Sequence, residues 1–240
     1  MRRKHQFDFK QFSVNQSHSA MKVCTDSCVF GSLIEPQNAQ SIMDIGTGTG
    51  LLALMLAQRT SDTTMIDAIE IDSEAMHDAQ SNIHSSPWNH RIVAHHSDIK
   101  NWVSKQPYDL ILCNPPFHIH STPSLTPKEQ QAFHADDSLP FDMLVKTICN
   151  LSHEETQTWI LLPIQEMLAF IEVANSHALL VQESIVIHHA SNESAIRRIC
   201  RFSKQKSIEY SERIFAYREY ASGPYTQEFI DAMSPYYLFL

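Results

Sequence analysis

The segment MDIGTGTGLLALML, residues 43–56, constrains the fold more than any other part of this chain. It reads as a short strand that carries Asp44, followed by Gly46, Gly48 and Gly50 and then by an apolar helix. The chain has only five glycines, so most of them lie in this one turn. Because glycine has no Cβ, such a turn at the carboxyl end of a strand lets backbone amides and a helix N-terminus approach a ligand closely. The segment therefore predicts a strand–turn–helix unit that binds something small.

Short apolar runs alternate with stretches of helical spacing from Ser41 onward, which is typical of an α/β fold with a mostly parallel sheet. Seven strands are predicted, at residues 41–45, 65–71, 91–96, 108–113, 158–163, 183–189 and 196–202. Helices are predicted at residues 51–58, 73–83, 99–103, 141–151 and 165–177. Residues 192–194 are too short for the crossover helix that parallel neighbours need, so the last strand is expected to be antiparallel.

The overall composition suits one large globular domain. The 240 residues are 43 % hydrophobic and 19 % charged, and no linker or repeat divides them, so we expect a single domain with residues 1–40 as an N-terminal arm or lid. No run approaches the roughly 18 uninterrupted apolar residues of a spanning helix, and we expect a cytoplasmic location. Five scattered cysteines and 14 histidines show no convincing ligand spacing, so no metal is predicted.

The charge distribution limits the partners of the chain. A formal net charge of −9 argues against a protein that coats nucleic acid in general, because phosphate binding depends on Lys and Arg. Basic residues nevertheless gather at the two ends, while the middle is acidic. This pattern permits a local phosphate-binding track, which would include Arg2, Arg3, Lys4, Lys10, Arg197 and Arg198.

The glycine spacing differs from that of a dinucleotide-binding turn. The usual fingerprint would need a small residue at position 51, where this chain has Leu51. The spacing of Gly46, Gly48 and Gly50 with Asp44 ahead of it resembles instead the first motif of the class I S-adenosylmethionine (SAM) methyltransferases.

The next two strand ends carry the polar groups that an adenosyl ligand needs. Glu70, at the tip of the second strand, can accept both ribose hydroxyls, whereas Asp72 is better explained as a helix start. Asp98, after the third strand, can accept the adenine amine while an apolar neighbour covers the ring. The predicted cofactor-binding residues of the strand ends are Asp44, Gly46, Thr47, Gly48, Gly50, Glu70, Ile71, Asp98, Ile99 and Asn114.

The fourth strand ends in the tetrapeptide Asn114, Pro115, Pro116 and Phe117. An amine conjugated to a ring is a poor nucleophile, and two acceptors, the side-chain oxygen of Asn114 and the carbonyl of Pro115, can bind both of its hydrogens and aim its lone pair. This requires positioning and electrostatic stabilisation but no strong base. Proline fixes the direction of the carbonyl, and Phe117 can stack on a planar base. These four residues are the predicted catalytic residues.

An Asn-Pro-Pro-aromatic sequence after this glycine loop resembles the branch of class I methyltransferases that modify adenine N6 or glutamine N5. More narrowly, the chain resembles the bacterial tRNA1(Val) (adenine-37-N6)-methyltransferases, most specifically in FDFKQFSVNQSHSAMKVCTDSCVFG at 7–31 and in YTQEFIDAMSPYYLFL at 225–240. The resemblance implies a Rossmann-like fold, a seven-stranded mostly parallel sheet with an antiparallel last strand and helices on both faces. It also implies SAM as cofactor and the anticodon stem-loop of a tRNA as partner.

The resemblance adds candidate residues outside the strand ends. It places Lys22, Thr25 and Asp26 close to the SAM pocket, with the arm helping to close it. The predicted substrate-binding residues are Lys10, Phe12, Phe117, Arg197 and Arg198.

The chain departs from the family pattern at a few positions. Cys24 and Ser27 stand where the family tends to have glycines, and Phe133 stands where it usually has an arginine. The loop 118–140 also carries acidic residues, so it offers less to a phosphate backbone than expected.

Two alternatives stay open from the sequence. A protein methyltransferase acting on glutamine N5 would use the same Asn-Pro-Pro chemistry, but such enzymes usually have a separate helical N-terminal domain that a 40-residue arm is too short to supply. A SAM-binding assembly factor on RNA without transfer activity would have no reason to keep Asn114, Pro115 and Phe117.

Overall fold

One eight-stranded sheet and a separate hairpin make up the strands of the described chain. The structure is a computed structural model, and it describes residues 5–115, 139–206 and 209–240. The hairpin consists of β1 (Gln6–Asp8) and β2 (Ser13–Asn15). The sheet consists of β3 (Ser41–Ile45), β4 (Met65–Glu70), β5 (Ile92–His96), β6 (Tyr108–Cys113), β7 (Ser152–Leu162), β8 (Leu180–Ala190), β9 (Ala195–Ser203) and β10 (Ser211–Arg218).

The sheet is parallel except for one strand. Its order is β10-β8-β9-β7-β6-β3-β4-β5, and β9 runs antiparallel to both of its neighbours. The remaining pairs, from β10–β8 at one edge to β4–β5 at the other, are parallel. The strands β8 and β9 follow each other in the chain through a short turn, so they can only meet as an antiparallel pair.

Helices cover both faces of this sheet. Among the described residues they are α1 (Thr25–Leu33), α2 (Leu51–Ala57), α3 (Ser73–His84), α4 (Phe141–Leu151), α5 (Ile164–Ser176), α6 (Gln227–Met233) and a 3-10 helix, Ile99–Asn101. One apolar core lies under α1, α2, α3 and α6 and includes the buried side chains of Phe30, Leu54 and Phe229. A second core, on the other face, holds Leu144 and Phe170 from α4 and α5. In the ranges that the structure describes, no helix is long and apolar enough to cross a membrane.

The predicted fold class is confirmed, and the number of strands was wrong. The antiparallel pairing of the last two predicted strands is confirmed as β8 and β9. However, β9 is followed by β10, an eighth strand that pairs in parallel with β8 at the sheet edge. The first half of β10, Ser211 to Ile214, is exposed and only the second half is buried. An edge strand of this kind lacks the apolar run by which the other strands were predicted.

The arm contains a helix, α1, that the sequence pattern did not predict. Its buried residues are consecutive, including Cys28, Val29 and Phe30, so they show no helical periodicity. Gly31 explains how the helix packs, because a Cβ added there would lie 2.7 Å from Sδ of Met55 on α2. Close packing against α2 therefore stabilises α1 as a helix, although its own sequence shows little helical periodicity.

The rest of the arm is tied to distant parts of the chain. Phe9 forms an isolated antiparallel bridge with Tyr237, and Nζ of Lys10 donates to the carbonyls of Ser234 at 2.6 Å and Leu240 at 2.8 Å. On α3, the carboxylate of Asp78 accepts the backbone amides of residues 18 and 19 at 2.9 and 2.8 Å. These contacts fix the arm against α3 and against the C-terminal segment.

Candidate active site

The three glycines of the loop 46–50 have different structural roles. All have positive φ, +69° at Gly46, +58° at Gly48 and +80° at Gly50, a region that disfavours other residues. A Cβ at Gly46 or Gly48 would meet nothing within 4 Å, whereas one at Gly50 would lie 3.5 Å from Ile83 on α3. The first two glycines therefore leave open space beside the backbone, and the third permits packing between α2 and α3.

The strand ends around this loop are in register. Ile45 of β3 lies opposite Cys113 of β6 and opposite Ile69 of β4. The residues that follow, Gly46, Asn114 and Glu70, consequently come to one edge of the sheet. Since the chain passes from β3 to β4 on one side while β6 lies on the other, this edge is a topological switch point, where open α/β sheets bind ligands.

Asp44 is the most completely buried acid of this edge. It has no exposed surface, its Oδ2 accepts the hydroxyl of Thr47 at 2.6 Å, and its Oδ1 has no hydrogen-bond partner among the described residues. Burial raises the pKa of Asp44 to about 7, with a small addition from the charge of Glu70, although the Thr47 hydroxyl and the backbone amide of Ala53 oppose the shift. The buried, unpaired oxygen is an acceptor that a ligand can satisfy.

Glu70 holds the glycine loop from the neighbouring strand. Its Oε2 accepts the amide of Gly48 at 2.9 Å, and its Oε1 accepts the amides of Ile71 and Asp72 at 2.9 and 3.0 Å. Asp72 caps α3 by accepting the amide of Ala75 at 2.7 Å, which confirms its predicted role as a helix start. Ile71 is 58 % exposed, so an apolar surface lies open next to the carboxylate.

Asp98 and Ile99 lie one strand further out. The carboxylate of Asp98 caps the 3-10 helix through the amide of Lys100 at 2.9 Å and pairs with Nζ of Lys100 at 3.0 Å. Ile99 is buried in the second core. Their contact with an adenine ring stays a prediction, and in this structure Ile71 is the more accessible apolar side chain.

Asn114 follows β6 directly, and its two amide atoms have different surroundings. Nδ2 donates to Oγ of Ser27, on α1, at 3.1 Å. Oδ1 is buried without a hydrogen-bond partner in the described part of the chain. Pro115 is buried beside it, while Pro116 and Phe117 lie outside the described residues, as does Phe133. From the sequence, Ser27 stands out only as a departure from the family pattern, and its contact with Asn114 was not predicted.

The first turn of α1 contacts side chains of β9 and β10. Asp26 accepts the hydroxyl of Tyr217 at 3.0 Å and pairs with Nε of Arg197 at 3.1 Å. Burial raises the pKa of the Tyr217 hydroxyl, so it stays a donor. A cavity of about 580 Å³ lies beside this cluster and is lined by Cys24, Thr25, Asp26, His189, Glu193, Tyr217, Arg218, Ala221 and Tyr225. Asp26 thus has protein partners, and its predicted contact with cofactor stays a prediction.

Other predicted residues also hold internal contacts. Besides the Lys10 contacts above, Nζ of Lys22 donates to the carbonyls of residues 16 and 19 at 2.5 and 2.7 Å. Arg198 pairs with Glu212 at 3.4 Å. Phe12 is a core residue, stacked on Phe9 with 4.5 Å between ring centroids and in edge contact with Trp88. This placement gives no support to a substrate-binding role for Phe12. Arg2, Arg3 and Lys4 lie outside the described residues.

In the part of the chain that the structure describes, one cluster brings together side chains of the types that bind metals. The ligand atoms of His18, His77 and Asp78 all lie within 4.8 Å of one another. Nδ1 of His18 is 2.8 Å from Oδ1 of Asp78, and Oδ2 of Asp78 accepts the amides of residues 18 and 19. These bonds to His18 and Ser19 outweigh the effect of burial and hold the pKa of Asp78 below its usual value. We assign this cluster the attachment of the arm to α3.

The strand-end residues fit a SAM molecule. The loop leaves open space at Gly46 and Gly48, where a Cβ would otherwise stand. The orphan Oδ1 of Asp44 offers a buried acceptor, and the Glu70 carboxylate with the exposed Ile71 offers the polar and apolar surfaces that a ribose and a base require.

Comparison with known proteins agrees with this geometry. Residues 12–139 match the family model of the methyltransferase small domain. A protein of Dyadobacter fermentans named tRNA1(Val) (adenine(37)-N6)-methyltransferase is 41 % identical over 204 residues, 85 % of this chain and 84 % of its own. Proteins of the same name are 37 % identical in Cytophaga hutchinsonii, with 97 % of each chain covered, and 36 % identical in Escherichia coli O157:H7, with 99 % of this chain and 97 % of that protein covered.

Solved structures with low sequence identity share the fold. A protein of Agrobacterium tumefaciens, described as a predicted O-methyltransferase, superposes with a TM-score of 0.67 at 16 % identity, covering 88 % of this chain and 96 % of that one. A Pyrococcus horikoshii protein solved in complex with MeSAdo gives a TM-score of 0.55 at 13 % identity, covering 81 % of this chain and 69 % of that one. The family predicted from the sequence is confirmed: this chain belongs to the methyltransferase small-domain family and, within it, to the tRNA1(Val) (adenine(37)-N6)-methyltransferase family.

Proposed function

We propose that this chain methylates the exocyclic N6 amine of an adenine in tRNA, adenine 37 beside the anticodon, with SAM as the methyl donor. The observation that carries the proposal is the side chain of Asn114, whose Oδ1 is buried and unpartnered among the described residues. A buried carbonyl oxygen left unpaired costs about 1–3 kcal/mol, so the site is built to receive a hydrogen-bond donor. The amine of a purine is such a donor.

Asn114 and Pro115 would act on the amine by holding it. Oδ1 of Asn114 accepts one amine hydrogen, and the Pro115 carbonyl accepts the other, which favours a pyramidal nitrogen whose lone pair points away from both acceptors. Proline at 115 holds its own φ fixed, so little reorganisation is needed. Pro116 and Phe117 lie outside the described residues, and we keep both as proposed catalytic residues, with Phe117 predicted to stack on the base.

SAM supplies the methyl group when it is bound. We assign its binding to the loop of Gly46, Thr47, Gly48 and Gly50, to the orphan oxygen of Asp44 and to the strand tips at Glu70, Ile71, Asp98 and Ile99. These groups lie at the same sheet edge as Asn114, because the parallel strands β3, β4, β5 and β6 are in register. Lys22, Thr25 and Asp26 remain proposed cofactor-binding residues; the internal contacts of Lys22 and Asp26 also help to fix the arm and α1.

The choice of tRNA as substrate rests on the relatives, which carry that activity in their names over nearly the whole length of this chain. We infer that the anticodon stem-loop is the part recognised, and that the chain works in the cytoplasm, where tRNA is found. We also infer that residues 1–240 act as one domain, since the arm contacts both α3 and the C-terminal segment. Arg197 and Arg198 remain proposed phosphate contacts beside their internal ion pairs.

The direct test is methyl incorporation from labelled SAM into unmodified total tRNA and, separately, into total protein. We expect label in tRNA as N6-methyladenine. Label in protein alone would favour glutamine-N5 methylation, and label in neither would favour a binding protein without transfer activity.

A variant at Asn114 tests the mechanism. Asn114→Ala should lower turnover by about 10²-fold or more, as loss of one preorganised polar group does elsewhere, while the Kd for SAM measured by calorimetry stays within a few fold. The matched control is Asn192→Ala, an exposed asparagine in the turn between β8 and β9, which should change neither quantity. Normal turnover in Asn114→Ala would contradict the role assigned to the amide.

A further inference from the structure

The side-chain amide of Asn114 has two ends of similar size and opposite chemistry. Its oxygen only accepts hydrogen bonds, and its nitrogen only donates them. An amine that is to be methylated presents N–H donors, so it needs the oxygen. If the amide were flipped, its NH2 group would face the N–H groups of the amine, and two donors cannot form a hydrogen bond. The proposed transfer therefore depends on which way this amide is turned.

One hydroxyl holds the nitrogen end. Nδ2 of Asn114 donates to Oγ of Ser27 at 3.1 Å, which leaves Oδ1 as the end without a partner among the described residues. Ser27 lies in the first turn of α1 and is only 9 % exposed. Because Ser27 is buried, the low local polarity strengthens a hydrogen bond to its hydroxyl.

A hydroxyl can donate as well as accept, so a second group must decide its direction. Sγ of Cys24 lies 3.2 Å from Oγ of Ser27. When the Ser27 proton points at the sulfur, the lone pairs of Oγ remain for Asn114, and only Nδ2 can bind them. The three side chains then form a chain in which Asn114 donates to Ser27 and Ser27 donates to Cys24.

The helix that carries the hydroxyl is itself fixed. Asp26, the residue before Ser27, pairs with Nε of Arg197 on β9 at 3.1 Å and accepts the hydroxyl of Tyr217 on β10 at 3.0 Å. These contacts come from the far side of β7, so the position of Ser27 is set by strands that carry none of the proposed catalytic residues.

The geometry points to Ser27 as a positioning residue, whose hydroxyl holds Nδ2 of Asn114 so that Oδ1 faces the acceptor amine. The part that concerns the amine rests on the proposed function, whereas the contact between Ser27 and Asn114 does not. Cys24 and Ser27 stand where the family resemblance leads one to expect glycines, so this device belongs to this chain's own form of the site.

The contact can be measured without a substrate. In protein labelled with ¹⁵N-asparagine, the Nδ2 protons of Asn114 are identified by their loss in Asn114→Ala. We expect them to exchange with water at least tenfold faster in Ser27→Ala than in the unchanged chain. The matched control is Ser32→Ala on the same helix, since the hydroxyl of Ser32 bonds instead to the carbonyl of Val29 at 2.8 Å. It should leave the exchange rate unchanged.

Turnover tests the consequence. Ser27→Ala should lower kcat about tenfold with the KM for SAM unchanged, and Ser27→Thr, which keeps a hydroxyl, should restore most of kcat. In the Asn114→Ala background, Ser27→Ala should cause no further loss, because a positioning residue has nothing left to position. Additive losses in the double variant would show a merely structural role and overturn the inference.

The two proposals fail in different ways. If the unchanged chain labels no tRNA, the proposed function fails while the exchange measurement still reports on Ser27. If it labels tRNA and Ser27→Ala retains full kcat, the positioning role is refuted. Should Ser27→Ala not fold, the unchanged chain decides: Nδ2 protons of Asn114 that exchange as fast as those of the exposed Asn192 would overturn the inference.

Discussion

The buried carboxyl of Asp44 should make the stability of the free protein depend on pH in a defined direction. Its pKa is raised to about 7, mainly by burial, whereas the same carboxyl in an unfolded chain titrates near 3.9. Between these two values the folded state holds a proton that the unfolded state has released. The free energy of unfolding therefore falls as pH rises through this window, and the stabilisation is complete only below the lower value.

The size of the effect follows from the two pKa values. Integrating the proton difference from pH 5 to pH 8 gives a loss of about 2–3 kcal/mol, with a maximum slope of about 1.4 kcal/mol per pH unit. Asp44→Asn removes this titration and leaves a neutral side chain of nearly the same shape. The difference in unfolding free energy between Asp44→Asn and the unchanged chain should therefore change by about 2–3 kcal/mol from pH 5 to pH 8. This change does not depend on how large the difference is at any single pH.

Urea denaturation at pH 5, 6, 7 and 8, with SAM absent, measures this difference. The histidines and all other titrating groups are common to both proteins, so their contributions cancel. Asp62→Asn serves as the matched control, because Asp62 is exposed on the connection between α2 and β4. Any difference between Asp62→Asn and the unchanged chain should stay constant from pH 5 to pH 8. A difference between Asp44→Asn and the unchanged chain that stays constant from pH 5 to pH 8 would refute the raised pKa.

Two further predictions concern single side chains. Gly48→Ala should weaken SAM binding about tenfold in calorimetry, because φ is +58° there and the added methyl would stand in open space beside the loop; an unchanged Kd would contradict that position for the ligand. Phe12→Ala should lower the free energy of unfolding by about 3–5 kcal/mol and leave the KM for tRNA unchanged, since the ring packs on Phe9 and Trp88; a raised KM with full stability would instead restore its predicted role in substrate binding.

Much of the site could be predicted because its signals are local. The glycine loop, the carboxylate at Glu70 and the helix cap at Asp72 depend on residues within a few positions of each other, and the parallel sheet brings strand ends together by rule. The meeting of these strand ends at one sheet edge could therefore be predicted from the sequence alone. The eighth strand could not, because half of β10 is exposed at an edge.

The contacts that were missed join residues far apart in the chain. Ser27 meets Asn114 across 87 positions, and Asp26 meets Tyr217 across 191. No periodicity or spacing in the sequence predicts a contact between residues so far apart. The distribution of basic residues also predicted that Lys10 and Arg197 contact phosphate. In the structure each has partners within the chain. The number of basic residues in a sequence does not determine which groups they contact after folding.

The attachment of the arm to the C-terminal segment has a consequence for synthesis on the ribosome. Phe9 bridges Tyr237, and Lys10 bonds the carbonyls of Ser234 and Leu240. Phe9 and Lys10 are therefore translated long before the residues that they contact. Although β3, α2 and α3 are made early and α3 already holds residues 18 and 19, the contacts of Phe9 and Lys10 cannot form until residues 234–240 have been made. A pulse-labelled intermediate released before residue 234 would then be expected to expose the aromatic face of Phe9.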